Sequence, residues 1–383
     1  MIYADNAAST CLTQPVFDAM IPWLTEQYGN PSSQHSMGQA AKEAIENARK
    51  TIADIFNCKP TSIIFTSGAT EANYLGIVGS FRNLKPENRQ RFNVIVSEIE
   101  HDSVMKPIKK LEGYGYHVDM CPTFRDGTVN TEWFKNSSYR GRTKLLSVMA
   151  ANNEVGTVQP IPLLSQICGR RDIMFHCDAT QAIGHTADFT LIPKYVDLMT
   201  ASAHKFHGPK GVGFLYVANP TWITSVIGPG SQEFGKRPGT ENVAGIVGMA
   251  AALQDAVDNL DDNITEINRL TQLLKEDIQQ EVPEAVFNGS ERNYLPGLVS
   301  VTIPGVSAES IVLMLDNFGI CISSGSACHA ADKSTRVLQA VGLTEDEARS
   351  TIRISINEMN TRDEVKTIAK QLGACVSVLR MKR

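Results

Sequence analysis

The chain has 383 residues, of which 42% are hydrophobic, so it can build a sizeable core and favours two domains over one. Its formal net charge of -5 does not favour nucleic acid or an acidic membrane as a constant partner. The first residues, MIYADNAAST, lack the basic and apolar regions of a signal peptide, and no apolar run is long enough to cross a bilayer. We therefore expect a cytoplasmic protein that contacts neither a membrane nor, directly, nucleic acid.

The first half of the chain alternates between helical and strand patterns. Residues 36–57 carry apolar side chains at helical spacing, and Ser36 with Gln39 fits a capping box at the start of that helix. Short, almost continuously apolar runs then follow at 62–65, 93–97, 144–150, 173–176, 197–202 and 213–217. Strands buried on both faces of a mostly parallel sheet have this composition, and the intervening helices indicate an α/β fold.

The pattern changes after about residue 250. Residues 266–282 predict a long amphipathic helix with Ile267, Leu270, Leu274 and Ile278 on one face. A strand at 297–305 and a helix at 307–319 are predicted next. We place a boundary near residue 255, which gives a large domain of residues 15–255 and a smaller α+β domain of residues 256–383. The N-terminal arm, residues 1–14, is assigned to the smaller domain.

Polar residues follow five of the apolar runs, where ligands of open α/β sheets bind. One run leads into TSGATEAN, in which Gly68 permits a tight turn and the amides near Ala69 and Thr70 suit a phosphate. An ordinary strand-to-helix turn is the alternative interpretation. The spacing matches neither a Walker A loop nor G-x-G-x-x-G, so ATP and NAD are poorly supported.

Asp178 and Lys205 also follow predicted strands. A carboxylate at a buried position needs a cationic partner, and a pyridinium nitrogen would serve. Desolvation and nearby cations lower the pKa of a lysine and make it a nucleophile towards carbonyl groups, although a surface lysine is the common alternative. A phosphate site, a carboxylate and such a lysine are the parts that a pyridoxal 5'-phosphate (PLP) enzyme needs.

Cys328 stands in CISSGSACHAADKS, a run rich in Gly, Ser and Ala that disfavours both helix and strand. None of the eight cysteines forms a C-x-x-C pair, which argues against a zinc site, and a disulfide framework is not expected in a cytosolic chain. Most of the eight are expected to fill the core, with a single catalytic thiol as the alternative.

Ten motifs in one order resemble those of NifS/IscS-type cysteine desulfurases, in the class V, fold-type I superfamily of PLP-dependent aminotransferases. They are YADNAAST, GNPSSQH, TSGATEAN, EHDSV, NNEVGTVQPI, DATQAIG, SAHKFHGPKGVG, RPGTENVAGIVG, SSGSAC and TIRISI, and they run from residue 3 to about residue 360. The SSGSAC segment is similar to the long-loop group I branch. The resemblance implies a mostly parallel seven-stranded sheet in the large, PLP-binding domain and a Cys328 loop carried by the small domain.

The resemblance also implies roles for individual residues. Lys205 would bind PLP covalently, Asp178 would pair with the pyridine nitrogen, and His101 would stack on the ring and transfer protons. Further cofactor contacts would come from Ala69, Thr70, Asn153, Gln181, Ser202 and His204, and from Thr240 of a second subunit. Asn153 and Arg353 would hold the substrate carboxylate, Arg353 through two parallel hydrogen bonds.

The implied reaction converts L-cysteine to L-alanine and leaves a persulfide on Cys328. His329, the next residue, either favours the thiolate or is an ordinary exposed residue. The resemblance implies a homodimer that passes sulfur to an acceptor protein, without a resident metal, although Cys328 could briefly touch a nascent iron–sulfur cluster.

Iron–sulfur cluster assembly, tRNA thiolation, thiamine or molybdopterin synthesis and sulfur modification of DNA all remain open as destinations of the sulfur. The alternatives to a desulfurase are another class V enzyme, namely a cysteine or selenocysteine lyase or an aminotransferase, and a scaffold without activity. A lyase or aminotransferase would not need Cys328, and a scaffold would not need Lys205 or Arg353.

Overall fold

The computed structural model describes residues 1–82, 84–138, 141–324 and 335–381. The strands are β1 Ile2–Tyr3, β2 Ile63–Thr66, β3 Asn93–Ser97, β4 His117–Cys121, β5 Thr143–Ser147, β6 Met174–Asp178, β7 Leu198–Ser202, β8 Gly213–Val217, β9 Val286–Asn288, β10 Leu298–Thr302, β11 Ile320–Cys321, β12 Ser323–Ser324 and β13 Thr351–Ser355. The helices are α1 Gln14–Thr25, α2 Ser36–Ile55, α3 Ala69–Phe81, α4 Asp102–Gly113, α5 Thr131–Ser137, α6 Ile161–Arg171, α7 Val243–Asp258, α8 Leu260–Glu281, α9 Ala308–Asn317, α10 Arg336–Ala340, α11 Glu345–Arg349 and α12 Arg362–Met381.

A seven-stranded sheet forms the centre of the molecule, in the order β2-β8-β7-β6-β5-β3-β4. Only β8 runs against the others, since it pairs antiparallel with both β2 and β7. Each of the six apolar runs forms one of these strands, so the predicted α/β fold with a mostly parallel sheet is confirmed. The seventh strand, β4, escaped prediction because it is an edge strand whose residues are largely accessible to solvent.

Helices cover both faces of the seven-stranded sheet. On one face, Ile63 and Ile95 join α2 and α7 in the largest hydrophobic cluster. On the other face, Ile64 packs with residues of α3, and Val94 packs with residues of α4. The strands are therefore buried from both sides, which explains why their sequences are almost continuously apolar.

The C-terminal residues build a second sheet and a second core. Four antiparallel strands lie in the order β12-β13-β10-β9, and α8 and α12 pack together beside them. Leu270, Leu274 and Ile278 are fully buried in this core, as the helical pattern predicts. The division of the chain near residue 255 stays a prediction.

The start of α2 differs from the predicted capping box. The N-cap is His35, whose ring nitrogen Nδ1 accepts a hydrogen bond from the backbone of Gly38 at 3.3 Å. Ser36 already lies inside the helix, and the side chain of Gln39 donates to the carbonyl of Ser33. The capping-box prediction is therefore wrong by one residue, because an imidazole replaces the hydroxyl as the capping acceptor.

No helix formed by the described part of the chain is long and apolar enough to cross a membrane. Among the seven described cysteines, four are buried, namely Cys121, Cys168, Cys177 and Cys375. The expectation that most of the eight fill the core stays a prediction, since Cys328 lies outside the described residues.

Candidate active site

The turn that carries Lys205 begins where β7 ends. Ala203–Lys205 form one turn of 3₁₀ helix, and the ammonium Nζ of Lys205 donates to the backbone carbonyls of Ala7 and Ala8 at 2.6 and 2.9 Å. The ring of His185 donates from Nε2 to the carbonyl of Lys205 at 2.7 Å, because a carbonyl can only accept. The lysine amine thus contacts the N-terminal segment, and the backbone of Lys205 is held by His185.

Asp178 is the last residue of β6 and is only 5% exposed. Its Oδ2 accepts from Nδ2 of Asn73 at 2.8 Å, and its Oδ1 accepts from the backbone of Thr180 at 3.0 Å. Asn73 is fully buried in α3 and also donates to the hydroxyl of Ser103 at 2.9 Å. The carboxylate is therefore fixed at the strand end, with its charge available to a cationic ligand.

His101 caps the N-terminus of α4. Its Nδ1 accepts from the backbone of Ser103 at 3.0 Å and lies 2.8 Å from the Ser103 hydroxyl, so the proton of the neutral ring is on Nε2. Desolvation by the surrounding protein and the cation of Lys205 lower the pKa of His101, against an opposing effect of Asp178. The imidazole is neutral at neutral pH and can donate a hydrogen bond through Nε2.

The predicted phosphate site lies between β2 and α3. Gly68 adopts φ 146°, a conformation reserved for glycine, and no side chain of the described residues caps the first turn of α3. A Cβ atom on Gly68 would lie 3.5 Å from the hydroxyl oxygen of Ser202. The structure therefore brings Ser202 to the turn of Ala69 and Thr70, where free amides and a helix N-terminus suit an anion.

His204 and Gln181 contact the N-terminal segment. Nδ1 of His204 lies 3.3 Å from the hydroxyl of Ser9, and burial together with the neighbouring Lys205 and Lys210 cations lowers the pKa of His204 to about 4. Nε2 of Gln181 donates to the carbonyl of Ala7 at 2.8 Å, the same oxygen that accepts from Lys205. Gln181 is therefore near the lysine amine, and His204 is neutral, so it can offer a phosphate one hydrogen bond but no charge.

Arg353 lies in the middle of β13 and is 5% exposed. Its Nη1 donates to the backbone carbonyl of Asn153 at 2.9 Å, and its Nη2 pairs with Oδ1 of Asp5 at 2.8 Å. Its buried Nε has no hydrogen-bond partner within the described ranges. A buried donor without a partner is costly, and a carboxylate ligand would satisfy it. Asn153 thus contacts Arg353 through its backbone carbonyl and not through its side-chain amide.

Three of the residues that hold the site were not predicted from the sequence. Asp5 orients Arg353, and Asn73 and Ser103 connect Asp178 with the His101 turn. Asn73 follows Ala69 and Thr70 by one helical turn inside TSGATEAN, so helical spacing was the signal that could have revealed it.

Two of the predicted residues are not placed in the site by the described chain. Thr240 is exposed, and its contact with a cofactor in a second subunit stays a prediction. Cys328 lies outside the described residues, as does His329.

The donor set fits PLP. The α3 turn offers uncapped amides to a phosphate, Asp178 offers a carboxylate at the end of β6, and Lys205 offers an amine. The unpartnered Nε of Arg353 is suited to a substrate carboxylate.

The sequence matches the family model described as aminotransferase class-V over residues 2–368. A cysteine desulfurase IscS from Dictyoglomus turgidum is 38% identical over 380 residues, which cover 99% of this chain and 95% of the relative. A solved NifS-like protein superimposes with a TM-score of 0.92 at 34% identity and covers 99% of this chain and 100% of its own. A structure described as SspA in complex with cysteine gives a TM-score of 0.77 at 30% identity, covering 94% and 100%. The chain therefore belongs to the class-V aminotransferase family and, within it, to the NifS/IscS-type cysteine desulfurases.

Proposed function

We propose that this protein is a PLP-dependent cysteine desulfurase that converts L-cysteine to L-alanine and transfers the sulfur through Cys328. The observation that carries the proposal is the N-terminal segment that joins two functional groups. Asp5 pairs with Arg353, and the carbonyls of Ala7 and Ala8 hold the amine of Lys205. The lysine that would bind the cofactor and the arginine that would bind the substrate thus contact the same four-residue stretch, residues 5–8.

PLP would be held by Lys205, by Asp178 at its pyridine nitrogen, by His101 over its ring, and at its phosphate by the turn of Ala69 and Thr70 with Ser202 and His204. When bound, PLP supplies an electron sink for the bonds at the Cα atom of the substrate. Gln181 would donate to the ring oxygen. The hydrogen bonds from Asn73 and Thr180 hold the carboxylate of Asp178 in place at the end of β6.

The side chains of this chain would perform the remaining tasks. Arg353 binds the substrate carboxylate, with Asn153 beside it, and thereby orients the amino acid. The amine of Lys205 removes the Cα proton, and the neutral imidazole of His101 holds or donates a proton at Nε2.

The thiolate of Cys328 then attacks the substrate sulfur. The Cβ–S bond breaks, an S–S bond forms, and the Cβ atom receives the electron pair and a proton. L-Cysteine and one thiol thus give L-alanine and one persulfide, which balances without any external oxidant. An acceptor thiol could then remove the outer sulfur by the same type of attack.

The first experiment is a visible spectrum and a product assay. The purified protein should absorb in the violet region and release equal amounts of alanine and sulfide from L-cysteine with a thiol reductant. Cys328→Ala and Lys205→Ala should both abolish sulfide release, whereas Cys11→Ala, a change at an exposed cysteine, should not. Full activity of Cys328→Ala would replace the desulfurase with a lyase, and a protein without a chromophore would support the scaffold.

We further propose that the enzyme is a homodimer in which Thr240 acts on the cofactor of the partner. Mixed dimers of Thr240→Ala and Lys205→Ala chains should regain about half of wild-type activity, because one of the two sites in each mixed dimer is intact. Recovery of no activity in dimers shown to be mixed would place Thr240 in its own subunit's site.

The sulfur acceptor is proposed only as a protein thiol. Incubation of the ³⁵S-labelled persulfide form with purified candidate acceptors from each of the open pathways would identify it. An acceptor that takes no label when mixed with the loaded enzyme is excluded.

A further inference from the structure

We propose that Arg237 is a positioning residue for the phosphate site, because it fixes and neutralises Glu71 at the start of α3. The inference deepens the proposed function and rests on it, since it takes the turn of Gly68 to Thr70 as the place of the cofactor phosphate. Residues 233–240 form the loop that carries Arg237, and they pack behind that turn through two ion pairs.

The first ion pair anchors the loop in the protein interior. Arg49 donates from Nη1 and Nη2 to the two carboxylate oxygens of Glu233 at 2.9 and 2.8 Å, and both side chains are 3% exposed or less. Oε2 of Glu233 also accepts from the backbone of Phe65 at 2.8 Å. The loop is therefore tied to β2 itself, just before the phosphate turn.

The second ion pair contacts the turn directly. Nε of Arg237 donates to Oε1 of Glu71 at 2.9 Å, and Oε2 of Glu71 accepts from the backbone of Ser67 at 2.7 Å. Burial favours the neutral acid, but the hydrogen bonds from Arg237 and Ser67 outweigh it, so the pKa of Glu71 lies below its usual value. Glu71 is thus an anion in the first turn of the helix that would receive the phosphate.

Two residues of the loop that carries Arg237 adopt a strained backbone conformation. Glu233 and Phe234 both have left-handed φ values, 48° and 56°, although neither is glycine. The guanidinium of Arg49 also stacks over the rings of Phe65 and Phe234 at 4.6 and 4.9 Å. Such strain persists only where the surroundings enforce it, and here the buried ion pair does so. The strained loop places Arg237 opposite Glu71.

The Arg237–Glu71 pair determines the net charge beside the proposed phosphate site. The carboxylate of Glu71 holds the amide of Ser67, the hydroxyl of Thr66 accepts from the amide of Gly68, and the amides of Ala69 and Thr70 are left for an anion. Without Arg237, that carboxylate would face a phosphate as an unpaired like charge and would repel it. Arg237 therefore permits one carboxylate to shape the turn without opposing the ligand.

The test is a titration of the apoprotein with PLP and with pyridoxal, which has the same ring but no phosphate. Arg237→Gln should weaken PLP binding by about tenfold and leave pyridoxal binding unchanged, because only the phosphate meets the unpaired carboxylate. The double variant Arg237→Gln/Glu71→Gln should recover most of the lost affinity, since it removes the repelling charge. Arg269→Gln, which removes an exposed ion pair with Glu266 on α8, is the matched control and should change neither affinity.

Four outcomes would overturn the inference. Equal losses for PLP and pyridoxal would show a general effect on the fold, additive losses in the double variant would show that charge is not the cause, and unchanged PLP affinity in Arg237→Gln would show that the residue is not needed. A wild-type protein that binds PLP no more tightly than pyridoxal would also exclude the inference. A wild-type protein that binds neither compound would overturn the proposed function itself.

Discussion

The two groups that the proposed reaction needs most, Lys205 and Arg353, are placed by different kinds of sheet. Lys205 follows the carboxyl end of β7 in the seven-stranded sheet, beside Asp178 at the end of β6. Arg353 lies in the middle of β13 in the antiparallel four-stranded sheet, paired with Ser300 of β10 and Ser323 of β12. The parallel sheet delivers functional groups from strand ends, and the antiparallel sheet delivers one from a strand face.

The difference determines how each group is held. The groups on the lysine side take partners from a helix and from nearby turns, namely Asn73 of α3 and the turn residues Thr180 and His185. The arginine side has a rigid strand, and Asp5 from the distant N-terminal segment completes it. The lysine side therefore depends on several contacts from different elements, whereas the guanidinium of Arg353 has one charged partner, Asp5, and one backbone carbonyl, that of Asn153.

The largest effect is expected on the lysine side. Lys205→Ala should lower kcat by at least about 10³-fold, because it removes both the covalent attachment of the cofactor and the proposed base. Mass spectrometry after borohydride reduction should find the cofactor on wild-type protein and none on the variant. Lys210→Ala, at an exposed lysine five residues on, is the control. Retention of a reduced cofactor at another lysine would refute the assignment.

A smaller effect is expected on the arginine side. Arg353→Lys should raise the KM for L-cysteine by about 100-fold with a lesser change in kcat, because lysine cannot bind a carboxylate with two parallel bonds. Asp5→Asn should raise KM by less, since an amide oxygen can still accept from Nη2. Steady-state kinetics would separate the two constants. If kcat fell and KM stayed constant, Arg353 would act on the reaction and not on binding.

The partners on the lysine side should each matter less. Asn73→Ala removes a buried hydrogen bond to a charged carboxylate, and such a bond is worth about 1.5–3 kcal/mol. We expect kcat/KM to fall by roughly tenfold to 100-fold, with a shift in the visible spectrum of the bound cofactor as Asp178 loses its orientation. Asn47→Ala, at an exposed asparagine of α2, is the control. An unchanged spectrum with lower activity would count against a role through Asp178.

The smallest effect on activity is expected at an ion pair between the two sides. His207, two residues after Lys205, donates from its two ring nitrogens to the carbonyl of Cys11 and to Glu358 at 2.9 and 3.0 Å. Although burial opposes its charge, the pairing with Glu358 raises the pKa of His207 to about 9. Because the folded pKa exceeds that of the unfolded chain, about 6.5, the stabilisation is complete below pH 6.5 and is lost as the pH rises through 9.

The corresponding measurement is urea unfolding at pH 6 and pH 10. Between these values, the wild-type protein should lose on the order of 2–3 kcal/mol more unfolding free energy than Glu358→Gln. Glu266→Gln, from an exposed pair, should lose as much as wild type. Parallel pH dependences of the Glu358→Gln and wild-type proteins would show that His207 is not charged by this contact.

Most of the fold could be predicted from the sequence because buried strands must be apolar on both faces. The edge strand β4 was missed because it does not meet that condition. Lys205, Asp178 and the α3 turn were predictable because strand ends gather on one side of a parallel sheet. Arg353 was identified only by resemblance, since a charged residue within a strand has no comparable rule.

The contacts of Asp5 and the Arg237–Glu71 pair could not be predicted, because they join positions that are 348 and 166 residues apart in the chain. Such pairings depend on the finished tertiary structure. Cys328 was predicted from composition and resemblance together, and it lies outside the described residues.

The contact between Asp5 and Arg353 has a consequence for biosynthesis. Ala4 and Asn6 hydrogen-bond with Ser355 of β13, one of the last strands to leave the ribosome. All seven strands of the large sheet are synthesised earlier, so Lys205 and Asp178 can take their places while β13 is still being made. The first residues of the nascent chain therefore pair with β13 only late in synthesis, so the proposed cofactor lysine can be in position before the proposed substrate-binding arginine is.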